Sequence, residues 1–264
     1  DKLQQLQNLV KTPIEGDYKV LIIGEIIDQL TADQKYSEAL LLIKSTKGQY
    51  QKSKFLNNIV NRENSILQPN LTIHFENHTQ SNLPIHLVAE AKNISKFSLN
   101  IYEVKGDEQN FLKYITNQYN KATFSAVKKT LVRKETFDIQ DLKDYKTHKT
   151  SLEIKPLSSG IYLAEYVVDN TIQENFYFIA TNSRIIYHTK GLQKNNNNQL
   201  QLVDRENGTS VSNKDLKVFE IADRKTTTSY VAKTDQSALF KFPVSKDNQY
   251  YRYYLVPVSY THLR

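Results

Sequence analysis

The sequence predicts a mainly β protein with an N-terminal helical segment, in which two tandem antiparallel β-sandwiches of Ig-like type follow a helical hairpin. Two observations carry this reading. Apolar and polar residues alternate in three successive runs between Leu71 and Val104, and the same signal returns between Leu152 and Ala180. Upstream of Leu71 the apolar residues recur at helical spacing instead.

In chain order, residues 1–68 read as helices. Val20, Leu21, Ile23, Ile26, Ile27 and Leu30 lay a broad apolar stripe along Tyr18 to Leu30, and Tyr36, Ala39, Leu40 and Ile43 recur at i, i+3, i+4 and i+7. Thr31 to Lys35 joins the two into a hairpin similar to a single tetratricopeptide unit, and Phe55, Ile59, Val60 and Ile66 predict a further helix. One hairpin does not bury its stripe alone, so it is expected to pack on helices further upstream or on the following sheet. The end of a structural arm is preferred here over a protein-binding repeat.

Leu71, Ile73 and Phe75 share one face of the first strand, Ile85, Leu87 and Ala89 of the second, and Phe97, Leu99 and Ile101 of the third. Thr72, His74, Glu76, His86, Glu90, Ser98 and Asn100 point the other way, as in an antiparallel sheet with one buried face. Leu71, Ile73, Phe75, Leu87, Leu99, Ile101 and Ile154 are therefore expected inside and His74 and His86 outside. Asp107 to Tyr119, with Phe111, Leu112 and Ile115, predicts a short amphipathic helix inserted in a long connection. Ala126 to Ile139, holding Val127, Leu131, Val132 and Phe137, predicts a strand, and Asp138 to Tyr145 a connector.

Leu152 and Ile154 open the next strand, Pro156 to Gly160 breaks it, and Ile161 to Val168 and Phe176 to Ala180 flank a turn at Asp169-Asn170. A second sandwich is read from Ile185 to Tyr187, an Asn195 to Asn198 turn, Leu200 to Leu202, Leu216 to Ile221, Ser229 to Ala232, Ala238 to Phe242 and Tyr250 to Val256. The expected modules are residues 1–68, 69–182 and 183–258, with a tail at 259–264.

Several segments also resemble a family. Pro69-Asn70-Leu71-Thr72-Ile73, Ala89-Glu90-Ala91-Lys92-Asn93-Ile94 and Leu99-Asn100-Ile101-Tyr102 are similar to the first macroglobulin-like domain of large bacterial alpha-2-macroglobulin-like proteins, particularly the Bacteroidetes type. Asp144-Tyr145-Lys146-Thr147-His148, Leu157-Ser158-Ser159-Gly160-Ile161-Tyr162 and Ala180-Thr181-Asn182 resemble later strands of that domain, and Val203-Asp204-Arg205-Glu206-Asn207-Gly208 the opening of the next one. The resemblance runs from Pro69 to Val258. It implies the scaffold part of a protease-trapping inhibitor, with bait and thioester regions outside this stretch. It also implies an extracytoplasmic, periplasmic or cell-envelope setting. The implied partners are proteases, engaged through the longer parent, and other domains of the same parent chain. Nucleic acid is not among them, and a membrane enters only through an anchor upstream.

Composition bounds the alternatives. The chain has 264 residues, 39% hydrophobic and 24% charged, which is ordinary for folded protein. It contains no Met, so Asp1 is read as an internal start, and Val258-Ser259-Tyr260-Thr261-His262-Leu263-Arg264 resembles translated sequencing adapter. No Cys is present, which removes disulfides, thiolate nucleophiles and thiolate metal sites, and with them a Cys–Gln thioester within this chain. No apolar stretch approaches the roughly 20 residues that cross a bilayer.

The net charge of +7 is uneven: Lys and Arg against Asp and Glu number 9 and 8 in residues 1–68, 13 and 13 in 69–182, and 13 and 7 in 183–264. A surface for nucleic acid or acidic glycans, with Tyr250, Tyr251, Arg252, Tyr253 and Tyr254 as stacking groups, is one reading. A tyrosine-rich strand beside a solvated basic face is the preferred one.

The motifs of catalysis are missing from the sequence. With seven glycines there is no phosphate-cradling loop, and no Gly-x-Ser-x-Gly elbow or His-Glu-x-x-His pair occurs. His74, His78 and His86 are the one candidate metal set, but no acid is placed beside them by the pattern, and solvated histidines are preferred. Asn70, Asn77, Asn93 and Asn207 lie in Asn-x-Ser/Thr sequons, which an Asn-rich chain generates by chance. The expectation is no catalytic, cofactor or metal site and no enzyme. The competing reading is a surface adhesin or glycan-binding array of Ig-like domains.

Overall fold

In a computed structural model the described residues are 2–117, 120–188, 198–222, 225–242 and 251–257. Tyr119, the Asn195 to Asn197 part of the expected turn, Tyr250 and the expected tail at 259–264 lie outside them. The chain divides into two units. One holds Asp1–His74, Val88–Lys96 and Asp138–Leu152, and the other Phe75–Leu87, Phe97–Phe137 and Glu153–Arg264.

The first unit starts with four helices, α1 (Lys2–Val10), α2 (Gly16–Ala32), α3 (Tyr36–Gln49) and α4 (Leu56–Leu67). All of the predicted α2 stripe but Leu21, which is exposed on the far side of the helix, is core: Val20, Ile23, Ile26, Ile27 and Leu30 bury against Ala39 and Ile43 of α3 and Ile59 and Ile66 of α4. Among the described residues it is other helices of this chain that cover the hairpin. Within the described residues, α4 closes one side, and α1 adds half-buried Leu3, Leu6 and Val10. α2 stops after Ala32 because Gln34 enters the left-handed region at φ 58, while the Lys35 amide bonds back to the Leu30 carbonyl. Arg62 of α4 grips Asp28 of α2 through Nε at 2.7 Å and Nη2 at 2.5 Å.

The strands follow as β1 (Asn70–Phe75), β2 (His78–Thr79), β3 (Ile85–Lys92) and β4 (Lys96–Val104). β3 and β4 keep the predicted alternation, with Ile85, Leu87, Ala89 and Ala91 buried on one and Phe97, Leu99, Ile101 and Val104 on the other. Leu71 and Ile154 are buried, and His74 and His86 exposed, as the pattern requires. Ile73 and Phe75 are only half-buried, because β1 is an edge strand in the sheet ordered β1-β3-β6, where β6 is His148–Ile154.

The long connection after β4 carries α5 (Glu108–Thr116), as predicted, and a second helix, α6 (Lys121–Ala126), whose N-cap Asn120 accepts the Ala122 amide. The expected strand is shorter than Ala126 to Ile139. It is β5 (Lys129–Asp138), with Val127 buried ahead of it and Leu131 and Val132 exposed.

β7 (Gly160–Val168) and β8 (Thr171–Ala180) meet at Asp169 and Asn170, both at positive φ, the primed hairpin turn that the sequence signals. With β2, β4 and β5 they form a five-stranded sheet ordered β2-β8-β7-β4-β5. β7 is central and buried on both faces. Its Ile161 and Leu163 join Val104, Phe111, Leu112, Tyr114 and Phe124, so α5 and α6 cover that side. The remaining strands are β9 (Ser183–His188), β10 (Asn198–Asp204), β11 (Asp215–Ala222), β12 (Lys225–Lys233), β13 (Leu239–Phe242) and β14 (Tyr251–Pro257). They form two three-stranded antiparallel sheets, β13-β10-β9 and β12-β11-β14, around Leu200, Leu202, Leu216 and Phe240. Open sheets after a helical start match the predicted class, and they are antiparallel apart from the short parallel pairing of β2 with β8.

Candidate functional site

The two segments Ala180-Thr181-Asn182 and Asp204 to Gly208 meet in space. The Arg205 amide donates to the Asn182 carbonyl at 2.7 Å. Asn182 Oδ1 accepts from Ser81 Oγ at 2.7 Å, and Ser81 in turn accepts from Ser159 Oγ at 3.0 Å. Ser81 is buried, so this chain of bonds is part of the interior. The turn after β10 is built by Asp204, whose Oδ1 accepts the Glu206 and Asn207 amides, and by Gly208 at φ 73, where a side chain would be strained. Asn207, a sequon residue, has its Oδ1 taken up by the Thr209 amide and hydroxyl.

Charge gathers at the same junction. Arg205 Nη2 lies 3.5 Å from the Glu76 carboxylate, an exposed pair of small energetic weight. His78 keeps an exposed edge, yet burial by neighbouring atoms first, and the Arg205 charge second, hold its imidazole below the usual range. Beside the junction an open depression of 510 Å³ is lined by Arg184, Ile185, Ile186, Val203, Asp204, Arg205 and Gly208.

A second polar group sits under α6. Lys129 Nζ donates to the Phe124 carbonyl at 2.9 Å and lies 4.2 Å from the Phe124 ring centre and 5.6 Å from that of Tyr102. Burial lowers the Lys129 ammonium from its ordinary value. The Tyr102 hydroxyl donates to Glu165 at 2.8 Å, and burial, followed by that bond, pushes its pKa up to about 12. A lysine seated on two rings and a phenol fixed as a donor anchor α6 to the sheet.

The three histidines do not converge. His74 Nε2 lies 3.3 Å from Glu90, which also pairs with Lys149, and His86 Nδ1 lies 3.4 Å from Glu153. His78 belongs to β2, in another sheet. Among the described residues no group of three His, Cys, Asp or Glu is spaced to hold a metal. Tyr251, Arg252, Tyr253 and Tyr254 lie on β14, antiparallel to β11 with Tyr254 opposite Phe219. Arg184, Arg205 and the Ser81–Asn182 bond were not anticipated from the sequence. Arg205 and Asn182 find Glu76 and Ser81 far away along the chain, Arg184 has no partner among the described residues, and the local signals were the Asp204 to Gly208 turn residues. Among the described residues no helix is long and apolar enough to cross a membrane.

No family model matches the chain, and no curated protein matches it significantly. Solved structures do. A crystal structure of native alpha-2-macroglobulin from Escherichia coli spanning domains MG0-NIE-MG1 aligns at TM-score 0.50 and 15% identity, over 72% of this chain and 64% of that one. Trypsin-activated alpha-2-macroglobulin from Escherichia coli aligns at TM-score 0.39 and 16% identity, over 71% of this chain and 14% of that one. The chain therefore spans less than two thirds of the first structure's length. At this identity the first alignment speaks to fold alone, and the N-terminal helices and β-sheets of this chain are consistent with macroglobulin-like β-sandwich domains.

Proposed function

We propose that this chain is a non-catalytic scaffold portion of an alpha-2-macroglobulin-like protease-trapping inhibitor, with the bait and thioester regions lying elsewhere in a longer parent. The modules would be residues 1–68, 69–182 and 183–258, in an extracytoplasmic, periplasmic or cell-envelope protein of a bacterium. The observation that carries the reading is the fold likeness over 72% of the chain to a segment of such a protein. The chemistry described above fits it, since these polar groups fasten one element to another. Ser81 holds Asn182, Lys129 holds the end of α6, and Arg62 holds Asp28.

The test is to express the parent gene in full and incubate the product with trypsin. A trapping inhibitor blocks cleavage of a large protein substrate while the enclosed trypsin still hydrolyses a small chromogenic peptide. This chain alone is expected to do neither and to show no hydrolase or transferase turnover. A parent that leaves cleavage of the large substrate untouched, or covalent capture of trypsin by this chain alone, would sink the proposal.

A further inference from the structure

The open edge of β9 and the depression beside it have no role in the structure so far described. We propose that they form a docking site for an extended polypeptide strand that places a carboxylate against Arg184 and an apolar side chain against Ile186. The inference does not depend on the inhibitor reading.

Strand order supplies the backbone half of the site. β9 ends its sheet in the order β13-β10-β9, and among the described residues its outer edge has no strand partner. The Leu202 amide donates to the Ala238 carbonyl and the Leu202 carbonyl accepts from the Val211 amide, so the Leu202 main chain faces away from β9. Leu202 is opposite Ile185, and Leu200 opposite Tyr187. In an antiparallel ladder bonded and non-bonded pairs alternate, so the main-chain groups of Ile185 and Tyr187 are directed at the free edge. An incoming strand would bond to those two residues.

The side chains supply the chemistry. Residues paired across a ladder share a face, so a strand added to β9 puts the residues opposite Arg184 and Ile186 over the depression. Arg184 is exposed and has no hydrogen-bond or ion-pair partner among the described residues. Its planar guanidinium matches a carboxylate in two-point contact. Ile186 is 42% exposed, and buried Val203 with Gly208 completes an apolar floor. The acids at the rim compete weakly: Asp204 already accepts two turn amides, and Glu76 faces Arg205. The surrounding stretch, residues 183–264, carries 13 cationic against 7 anionic side chains and so favours an acidic partner. A polypeptide is chosen over a nucleic acid or glycan because the edge demands alternating donors and acceptors and the floor is apolar.

The probe is a fluorescein-labelled, end-blocked Thr-Val-Thr-Glu-Thr-Val-Thr peptide, titrated with the whole chain and followed by fluorescence anisotropy. Saturable binding is expected, weakened about tenfold or more by Arg184→Glu and by replacing the peptide glutamate with lysine. N-methylation of alternate peptide amides should abolish it. Arg184 and Ile186 are exposed, so Arg184→Glu and Ile186→Lys should leave the melting curve unchanged. A chain that melts normally but shows no saturable binding overturns the proposal, as does binding indifferent to Arg184→Glu or to N-methylation. Equal displacement by heparin marks a general polyanion surface and also overturns it. So does a self-dimer in sedimentation that Ile186→Lys dissolves, since the occupant is then a second copy.

Discussion

Asn93 gives the sharpest test of how the first unit is held together. It sits between β3 and β4 at φ 54, a conformation asparagine tolerates better than residues with larger or branched side chains. Its side-chain amide reaches the end of α4, donating to the Ile66 carbonyl at 2.9 Å, and Lys92 Nζ donates to the Ser65 carbonyl at 2.9 Å. The last carbonyls of a helix lack partners within it, so this turn caps α4 from outside. Asn93→Ala removes the donor from a carbonyl of a residue that is 2% exposed, which costs roughly 1–3 kcal/mol. It also forces alanine into the left-handed region, at about 1 kcal/mol more. Asn93→Gly keeps only the first cost, because glycine adopts that φ freely. Asn93→Asp puts an acceptor against carbonyls at the negative end of the helix and should exceed the glycine cost. Urea denaturation followed by circular dichroism at 222 nm gives the order wild type, Gly, then Ala and Asp. If alanine stays within about 0.5 kcal/mol of wild type, or glycine costs as much as alanine, the cap does not stabilise α4.

Other predictions concern the second unit. Phe111 is buried between Tyr177, at 5.5 Å between ring centres, and the cluster that includes Phe219, so Phe111→Ala should cost about 3–5 kcal/mol in denaturant. A loss under about 1 kcal/mol means that α5 is not seated as described. The Thr79 hydroxyl is buried without a hydrogen-bond partner among the described residues, so Thr79→Val should leave stability unchanged or raise it by about 1 kcal/mol, and a clear loss would refute this. Tyr102 holds its proton to about pH 12, whereas the unfolded phenol releases it near 10. Its folded pKa is the raised one, so its contribution is complete below pH 10 and lost as pH climbs from 10 towards 12. Tyr102→Phe should flatten that alkaline fall in a pH series of urea midpoints, and an unchanged slope would refute the assignment.

The parts of the fold that read correctly from sequence are those where one residue's environment follows from its near neighbours. The buried set on β3 and β4 is a period-2 signal, the α2 stripe a period-3.6 signal, and the Asp169-Asn170 turn a two-residue one. What failed depended on topology. Leu131 and Val132 helped to signal the strand that became β5, but sequence did not say whether they are covered, and both are exposed because β5 ends its sheet. Ile73 is half-buried for the same reason on β1. α6 went unread because Lys121 to Ala126 is too short to show a period, and its one local mark is the Asn120 cap.

The same distinction decides which functional features were legible. The three histidines drew notice because metal ligands are chemically conspicuous, but β1, β3 and β2 place them in different sheets or on different acids, and no pattern within a strand encodes that separation. Arg184 looked ordinary, one cation in a basic stretch. Its interest comes from strand order, which puts β9 at an edge, and from the Leu202 hydrogen bonds, which turn the Ile185 and Tyr187 main chain outwards. For a protein built from short open sheets, side chains on interior strands go into packing, while edges keep unsatisfied donors and acceptors. New binding chemistry in this chain should therefore be sought at β5 and β9 before the histidines. Of these two, β5 has Arg133 donating to the Lys155 and Pro156 carbonyls and Glu135 accepting the Lys155 amide, so its middle is already occupied and β9 is the more open edge.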